Sequence, residues 1–288
     1  GRLSAPLFQT GRGAMAEVEN LIDTLALERI EVNLFRGLAP AGQGPRIFGG
    51  LVIGQALMAA YRTVEARICH SLHCYFIRPG DPAAPILFEV DRARDGKSFT
   101  TRRVIAIQHG AQIFNLAASF QIAEEGLEHQ DPMPDVPAPE TLPSEPGWGG
   151  RPRPIDIRAV DPRGWNDSGR APPFQNIWMR ALAPLGDDEA MNQAVIAYAS
   201  DMSFMSTGMR PHGLNWQTPG LRTASLDHAI WFHRPSNFND WHLYAQKSPS
   251  ASGARGLNLG ELYNRDGRLV ASMAQEGLMR YRPPAASA

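Results

Sequence analysis

The stretch AMNQAVIAYASDMSFM, residues 190–205, decides how the rest of the chain must fold. Its apolar residues (Met191, Ala194, Val195, Ile196, Ala197, Tyr198, Ala199, Met202, Phe204 and Met205) run almost all the way round a helical wheel. A helix that is apolar on every side is buried on every side. Ala194, Ala197, Ala199, Ser200 and Ser203 are small enough to let another backbone approach closely. Asp201 is the only charge in the stretch. A lone carboxylate inside such a helix must be paired, protonated or in use, because burial disfavours its ionised form. Asp187 or Asp188 can cap the helix, with Glu189 favourably placed in its first turn.

A second segment of the same character lies upstream. IFGGLVIGQALMAAYRTVE (47–65) opens with Gly49 and Gly50, is apolar on most faces, and carries one odd polar residue, Gln55. Strand patterns follow each of the two segments. After the first come HSLHCYFIRPGD (70–81), PILFEVDRARDG (85–96), SFTTRRVIAIQHG (98–110) and AQIFNLAASFQ (111–121), with turns at Pro79-Gly80, Asp95-Gly96 and His109-Gly110. After the second come 218–235, 241–252, 254–267 and 268–280, with a turn at Asp266-Gly267. Strands are also expected at RIEVNLFRG (29–37), IDIRAV (155–160) and FQNIWMRAL (174–182), and an amphipathic helix over 15–28 with Val18, Leu21, Ile22 and Leu25 on one stripe.

The two series superpose. Phe76-Ile77-Arg78-Pro79 falls on Phe232-His233-Arg234-Pro235 at an offset of 156, Ile113 falls on Leu269 and Ala118 on Ala274. The sequence therefore reads as a duplication: an N-terminal unit over 15–122, a proline-rich linker over 123–154 and a C-terminal unit over 155–288. Of the 24 prolines, 11 fall between 131 and 175, a density that blocks both helix and ladder. Residues 1–14 read as a tag remnant ahead of Met15. A buried helix followed by four or more antiparallel strands, twice, predicts an α+β double hotdog, two antiparallel sheets each wrapped around a buried helix and joined edge to edge.

Composition narrows the function. The formal net charge is −1 and 43% of residues are hydrophobic, which argues for a packed core and against nucleic acid as a partner. No apolar run approaches the roughly 20 residues of a membrane span. No secretory signal follows Met15, since Glu17, Glu19 and Asp23 interrupt it, so the cytoplasm is the expected compartment. The only cysteines, Cys69 and Cys74, are expected free.

The segments LERIEVNLFRG, IFGGLVIGQAL, HSLHCYFIRPGD, RDGKSFTTRRVIAIQ, IFNLAASFQ, YASDMSF, SLDHAIWFHRP, SGARG and LVASMAQEGLMR carry a resemblance. Over 15–281, outside the linker, the chain resembles the type II acyl-coenzyme A thioesterases of the TesB kind. The resemblance implies a double hotdog, an acyl-CoA substrate, a homo-oligomer, and hydrolysis without metal, cofactor or covalent intermediate. It also implies a triad of Asp, Thr or Ser, and Gln around a water. Matched by motif, these are Asp201, Ser225 and Gln275, with Ser225 standing where members of the family often carry Thr.

Thioester hydrolysis needs a base for water, groups to aim that water and donors for the carbonyl oxygen. Asp201 is the expected base, its pKa raised by its apolar helix, while Ser225 and Gln275 can each hold the water. Amides at the start of the first-repeat helix, near Gly54 and Gln55, are the expected oxyanion donors. Coenzyme A carries phosphates, so cations should line the entrance; Lys97, Arg102, Arg103 and Arg255 are the candidates. Met202, Phe204 and Met205 could line an acyl tunnel, though core packing accounts for them equally.

Other signals carry less. In CHSLHC (69–74), strand alternation puts Cys69 and His73 on one face and His70 and Cys74 on the other, which argues against zinc. His228 and His233 read as structural. DGKS (95–98) lacks the earlier glycine of a phosphate loop, and the sequence holds no G-x-S-x-G elbow. Two rival functions remain. One is a hotdog enoyl-CoA hydratase, for which Gln55 and Asp201 do not supply the Asp-His or Asp-Asn arrangement. The other is a non-catalytic acyl-CoA binding protein, against which the intact Asp201, Ser225 and Gln275 speak.

Overall fold

The structure is a computed structural model and describes residues 21–40, 44–144, 154–161, 167–182 and 184–284. The expected tag remnant and the first residues of the expected 15–28 helix lie outside these; residues 21–25 are helical, with Leu21 and Leu25 buried. The described strands are β1 (Glu28–Glu31), β2 (Leu34–Gly37), β3 (Ile68–Phe76), β4 (Ile86–Asp95), β5 (Phe99–Gln108), β6 (Ala111–Gln121), β7 (Ile155–Ala159), β8 (Phe174–Ala181), β9 (Leu221–Ser225), β10 (Asp227–Phe232), β11 (His242–Ser252), β12 (Arg255–Asn264) and β13 (Leu269–Tyr281). The α-helices described in full are α1 (Gly49–Tyr61), α2 (Glu189–Ser200) and the short α3 (Phe204–Met209).

The strands form one antiparallel sheet in the order β1-β2-β4-β5-β6-β3-β10-β13-β12-β11-β8-β7, with β9 pairing β13. The order mirrors itself about the β3–β10 junction. There His73 pairs with Ala229, residues 156 apart in sequence, and the flanking pairs Leu72–Ile230 and Cys74–His228 exchange under the same offset. A pseudo-twofold axis thus passes through the junction, and neither half presents an open edge there. This is the double hotdog. Helix α1 lies on β2, β4, β5 and β6, α2 packs against α1 and touches β3, and α3 lies on β8, β11, β12 and β13.

The two long helices touch through small residues. A Cβ added at Gly50 would stand 2.3 Å from the Tyr198 carbonyl oxygen, and one at Gly54 would stand 3.0 Å from that of Ala194. Phe48 seals the pair edge-on against Tyr198, with ring centroids 5.1 Å apart. Asp188 caps α2 as expected, accepting from the amides of Ala190 (3.0 Å) and Met191 (3.4 Å).

Glu189, in the first turn of α2, has its carboxyl pushed up to about 7, chiefly by burial, with Gln193 opposing. A helix N-terminus normally favours an anion, so desolvation outweighs the dipole here. The folded state holds this proton more tightly than the unfolded chain. Stability is therefore lost as pH rises from about 4.5 to about 7. Glu189→Gln should raise the melting temperature at pH 8 and leave it nearly unchanged at pH 4; a gain of equal size at both pH values would contradict this origin.

Four expectations are corrected. RIEVNLFRG is not one strand but the hairpin β1–β2, turning at Val32-Asn33 with Glu31 opposite Leu34. The 190–205 segment is not one helix: α2 ends at Ser200 with Asp201 as its C-cap, and Ser203 at φ +65° turns the chain into α3. The 218–235 segment is split at Leu226 into β9 and β10. A bulge between Cys69 and Ser71 resets the alternation of β3, so Cys69 and Cys74 both face inward while His73 faces out.

Candidate active site

Asp201 closes α2 at the point where α1 begins. A carboxylate at a helix C-terminus meets the negative end of that helix's dipole, and burial adds to the cost. Its pKa is raised by desolvation, opposed by hydrogen bonds from Gln275, the Gly50 amide and Ser225. The Gly50 amide belongs to the first turn of α1, whose N-cap, Phe48, offers no side-chain acceptor. Asp201 therefore serves as the acceptor for a helix on the other repeat, at its positive end. Gly49 leaves room for this, since a Cβ there would stand 2.7 Å from Asp201 Oδ2.

The three residues matched by motif come together. Gln275 Nε2 donates to Asp201 Oδ1 at 2.8 Å, and Ser225 Oγ donates to the same oxygen at 3.5 Å. Ser225 ends β9 and Gln275 lies within β13, which β9 pairs, with Ser225 opposite Gly277. Gly277 has no side chain because Met205 fills that space: its Cε would lie 2.6 Å from an added Cβ, and its Sδ is 3.8 Å from Ser225 Oγ. Gln275 is fully buried, whereas Asp201 and Ser225 keep partial solvent access. Cys74 and Tyr244 are the titratable groups that also sense Asp201; burial raises the pKa of both, so both remain neutral.

Under the offset of 156, Ser225 and Gln275 fall on Cys69 and Ser119. Helix α1 ends at Tyr61 with Arg62 as its C-cap, whereas the C-cap of α2 is Asp201 itself. The Tyr61 hydroxyl accepts from the Cys69 amide at 2.8 Å and donates to Gln193 Oε1 at 2.6 Å. The end of α1 thus holds a committed tyrosine and a basic C-cap rather than an acid.

A cleft lined by Gly49, Ser225, Phe76 and Ile113 leads out from Ser225, and Arg46 and Arg78 are the cations in its wall. Both are exposed, and Arg78 Nη1 donates to the Gln112 carbonyl at 2.6 Å. Sequence reading missed these two. The chain brings residues 46, 78 and 225 together only in three dimensions, although Arg78 sits in the repeated F-I-R-P motif.

The expected cations lie elsewhere. Arg102 is corrected outright: it is buried, and its guanidinium is spent on Thr63 Oγ1 (2.8 Å), the Thr63 carbonyl (3.0 Å) and Asp95 (2.6 Å). Arg255 is exposed and pairs with Glu276 at 2.8 Å, while Lys97 and Arg103 are exposed and outside the cleft wall. Gly54 and Gln55 are corrected as oxyanion donors. Helix α1 starts at Gly49, so their amides lie inside its hydrogen-bonded body. Gly54 serves the contact with Ala194, and Gln55 Nε2 ties the carbonyls of Thr24 (3.2 Å) and Leu38 (3.0 Å).

A family model described as acyl-CoA thioesterase matches residues 158–278, and one described as acyl-CoA thioesterase N-terminal domain matches residues 39–121. The chain is 41% identical over 283 residues to human acyl-coenzyme A thioesterase 8, covering 90% of this chain and 88% of that protein. It is 38% identical over 280 residues to acyl-CoA thioesterase 2 of Haemophilus influenzae, covering 92% and 98%. Among solved structures, an acyl-CoA thioesterase II of Mycobacterium marinum, TesB2, is similar with a TM-score of 0.79 and 42% identity over 94% of this chain and 100% of that one. A tesB protein of Mycobacterium avium subspecies paratuberculosis reaches a TM-score of 0.81 at 30% identity, covering 93% and 99%.

Proposed function

The chain belongs to the acyl-CoA thioesterase family, and on that premise we propose that it hydrolyses fatty acyl-CoA by a single water activated at Asp201. The observation that carries this reading is the convergence of Gln275 and Ser225 on one oxygen of a carboxylate whose pKa is raised.

The geometry supports the following steps. The water sits between Ser225 and Asp201, and gives a proton to the carboxylate as its oxygen bonds to the thioester carbon. Negative charge then develops on the carbonyl oxygen. The Gly49 amide stands at the first position of α1, where an N–H has no acceptor within the helix, and it borders the cleft; it is the donor we assign to that oxygen. Collapse of the tetrahedral adduct breaks the carbon–sulfur bond, and the proton on Asp201 passes to the departing sulfur. The products are a free acid and coenzyme A, and Asp201 is ionised again. No covalent intermediate, metal or cofactor enters these steps.

Arg46 and Arg78 are read as the contacts for the phosphate groups of coenzyme A, and the acyl chain as running past Met205. Exposed charge contacts contribute about 1 kcal/mol each, or roughly fivefold in affinity. Arg46→Ala and Arg78→Ala should each raise KM for an acyl-CoA about fivefold. Neither should change KM for the matching acyl-pantetheine, which lacks the nucleotide. Equal effects on both substrates would remove the phosphates from this rim.

Release of thiol from acyl-CoA esters of several chain lengths, followed with a colorimetric thiol reagent, tests the whole reading. Steady release supports it. Binding without release would make the chain an acyl-CoA binding protein, and consumption of an enoyl-CoA without thiol would make it a hydratase.

A further inference from the structure

His228 is buried in β10 beside the site, and none of the steps above uses it. It stands across from Gln275: β10 and β13 pair Ala229 with Ala274, and the next position along the ladder sets His228 against Gln275. Both side chains point inward and both are closed to solvent. His228 Nε2 lies 2.9 Å from Ser200 Oγ, and the Phe204 ring packs edge-on against the imidazole. Two buried polar atoms in this pair have no hydrogen-bond partner: His228 Nδ1 and Gln275 Oε1. They belong to side chains that stand opposite each other on adjacent strands, and the carboxamide of Gln275 opposes the downward shift that burial gives the imidazole.

A carboxamide has two unlike ends, and only one of them suits a carboxylate. Gln275 gives its Nε2 to Asp201, so it must present Oε1 to His228. Turned over, it would set an oxygen lone pair against an anion. Burial holds the imidazole neutral, with its pKa pushed down to about 4, so it carries one N–H and one lone pair. If Nδ1 carries the proton, it donates to Gln275 Oε1, and Nε2 accepts from the Ser200 hydroxyl. If Nε2 carries it, Ser200 turns its hydroxyl to the Ala197 carbonyl, 2.9 Å away, and Nδ1 faces Gln275 with a lone pair. Only the first arrangement makes an unbroken run of donors from Ser200 through His228 and Gln275 to Asp201.

We propose that His228, as the Nδ1–H tautomer, is a positioning residue that fixes which end of Gln275 faces Asp201 and so keeps the carboxylate ionised and aimed at water. This rests on the hydrolytic reading above.

Substitutions at His228 test it. His228→Asn puts an amide N–H where Nδ1 was, whereas His228→Gln moves its amide toward Ser200 and His228→Leu removes the donor. The first readout is the titration of the Asp201 carboxyl by carbon-13 NMR, which needs no turnover. His228→Leu and His228→Gln should raise that pKa by about one unit, while His228→Asn should leave it near the wild-type value. The second readout is turnover. His228→Leu should lower kcat about tenfold to a hundredfold with KM unchanged, and should have no further effect once Gln275 is Leu. An unmoved Asp201 titration, or equal losses with and without Gln275, would overturn the assignment. If Leu at 228 prevents folding, the order Asn above Gln in activity decides the same question. Absence of thiol release by the wild type would instead defeat the hydrolytic reading, and the titration would still report on the His228–Gln275 link.

Discussion

Asp201→Asn should lower kcat by about a hundredfold to ten-thousandfold, the range expected when a general base is removed, with KM little changed. The substitution keeps the shape of the side chain. Its one oxygen can take the place of Oδ1 and still accept from Gln275. Stability should hold or rise at neutral pH, and the sign follows from the shift. The folded carboxyl keeps its proton to a higher pH than the unfolded one, chiefly because burial disfavours its charge. Ionisation in the folded state therefore costs stability, absent below the unfolded pKa and full above the folded one. Asn carries no charge and escapes this cost. The wild-type kcat should fall as pH drops through the raised pKa, giving an acid limb above the ordinary carboxylate range, and the residual activity of Asp201→Asn should lack that limb. Near-normal turnover in Asp201→Asn would remove the residue from the mechanism, and an acid limb in the ordinary carboxylate range would mean that the site is wetter than its packing implies.

The sequence carried the buried helices and the strand order because both are periodic signals. Asp188 is legible as a cap because it stands just ahead of the apolar run, and the turns at Gly110 and Gly267 because φ there is +72° and +81°. Breaks without glycine or proline were not legible. Asp201-Met202-Ser203 continues the apolar pattern without interruption, yet α2 stops at Ser200 and Ser203 adopts φ +65° ahead of α3. The bulge at Cys69–Ser71 is likewise silent, since an alternating pattern does not mark where an extra residue enters. Asp201, Ser225 and Gln275 could be named from motifs, but periodicity alone would have left Ser225 and Gln275 as ordinary strand residues. Arg102 shows the opposite failure. Composition offers a cation, and only the fold reveals that Thr63 and Asp95 consume it. His228 looked like a structural histidine because its partner lies one strand away and 47 positions later in the chain.

Gly50→Ala should be the most damaging single-methyl change in the helix pair. The new Cβ would stand 2.3 Å from the Tyr198 carbonyl oxygen and 2.5 Å from Phe48 Cε1. The Phe48 ring can rotate. The Tyr198 oxygen belongs to the backbone of α2 and can yield only if that helix moves. Such a shift would carry Asp201, three residues further along, away from the Gly50 amide and from Gln275. Overpacking of this kind costs about 3 kcal/mol, or roughly 6–12 °C in melting temperature for a domain of this order of size. Folded protein that remains at low temperature should also lose turnover, because the carboxylate no longer meets its donors. Gly256→Ala is the control: its Cβ would meet nothing nearer than Met279 Cε at 3.8 Å, so stability and turnover should stay close to wild type. A Gly50→Ala variant that melts within about 2 °C of wild type would show that α1 and α2 are not held at this separation, and would leave the placement of Asp201 to forces other than the contact of the two helices.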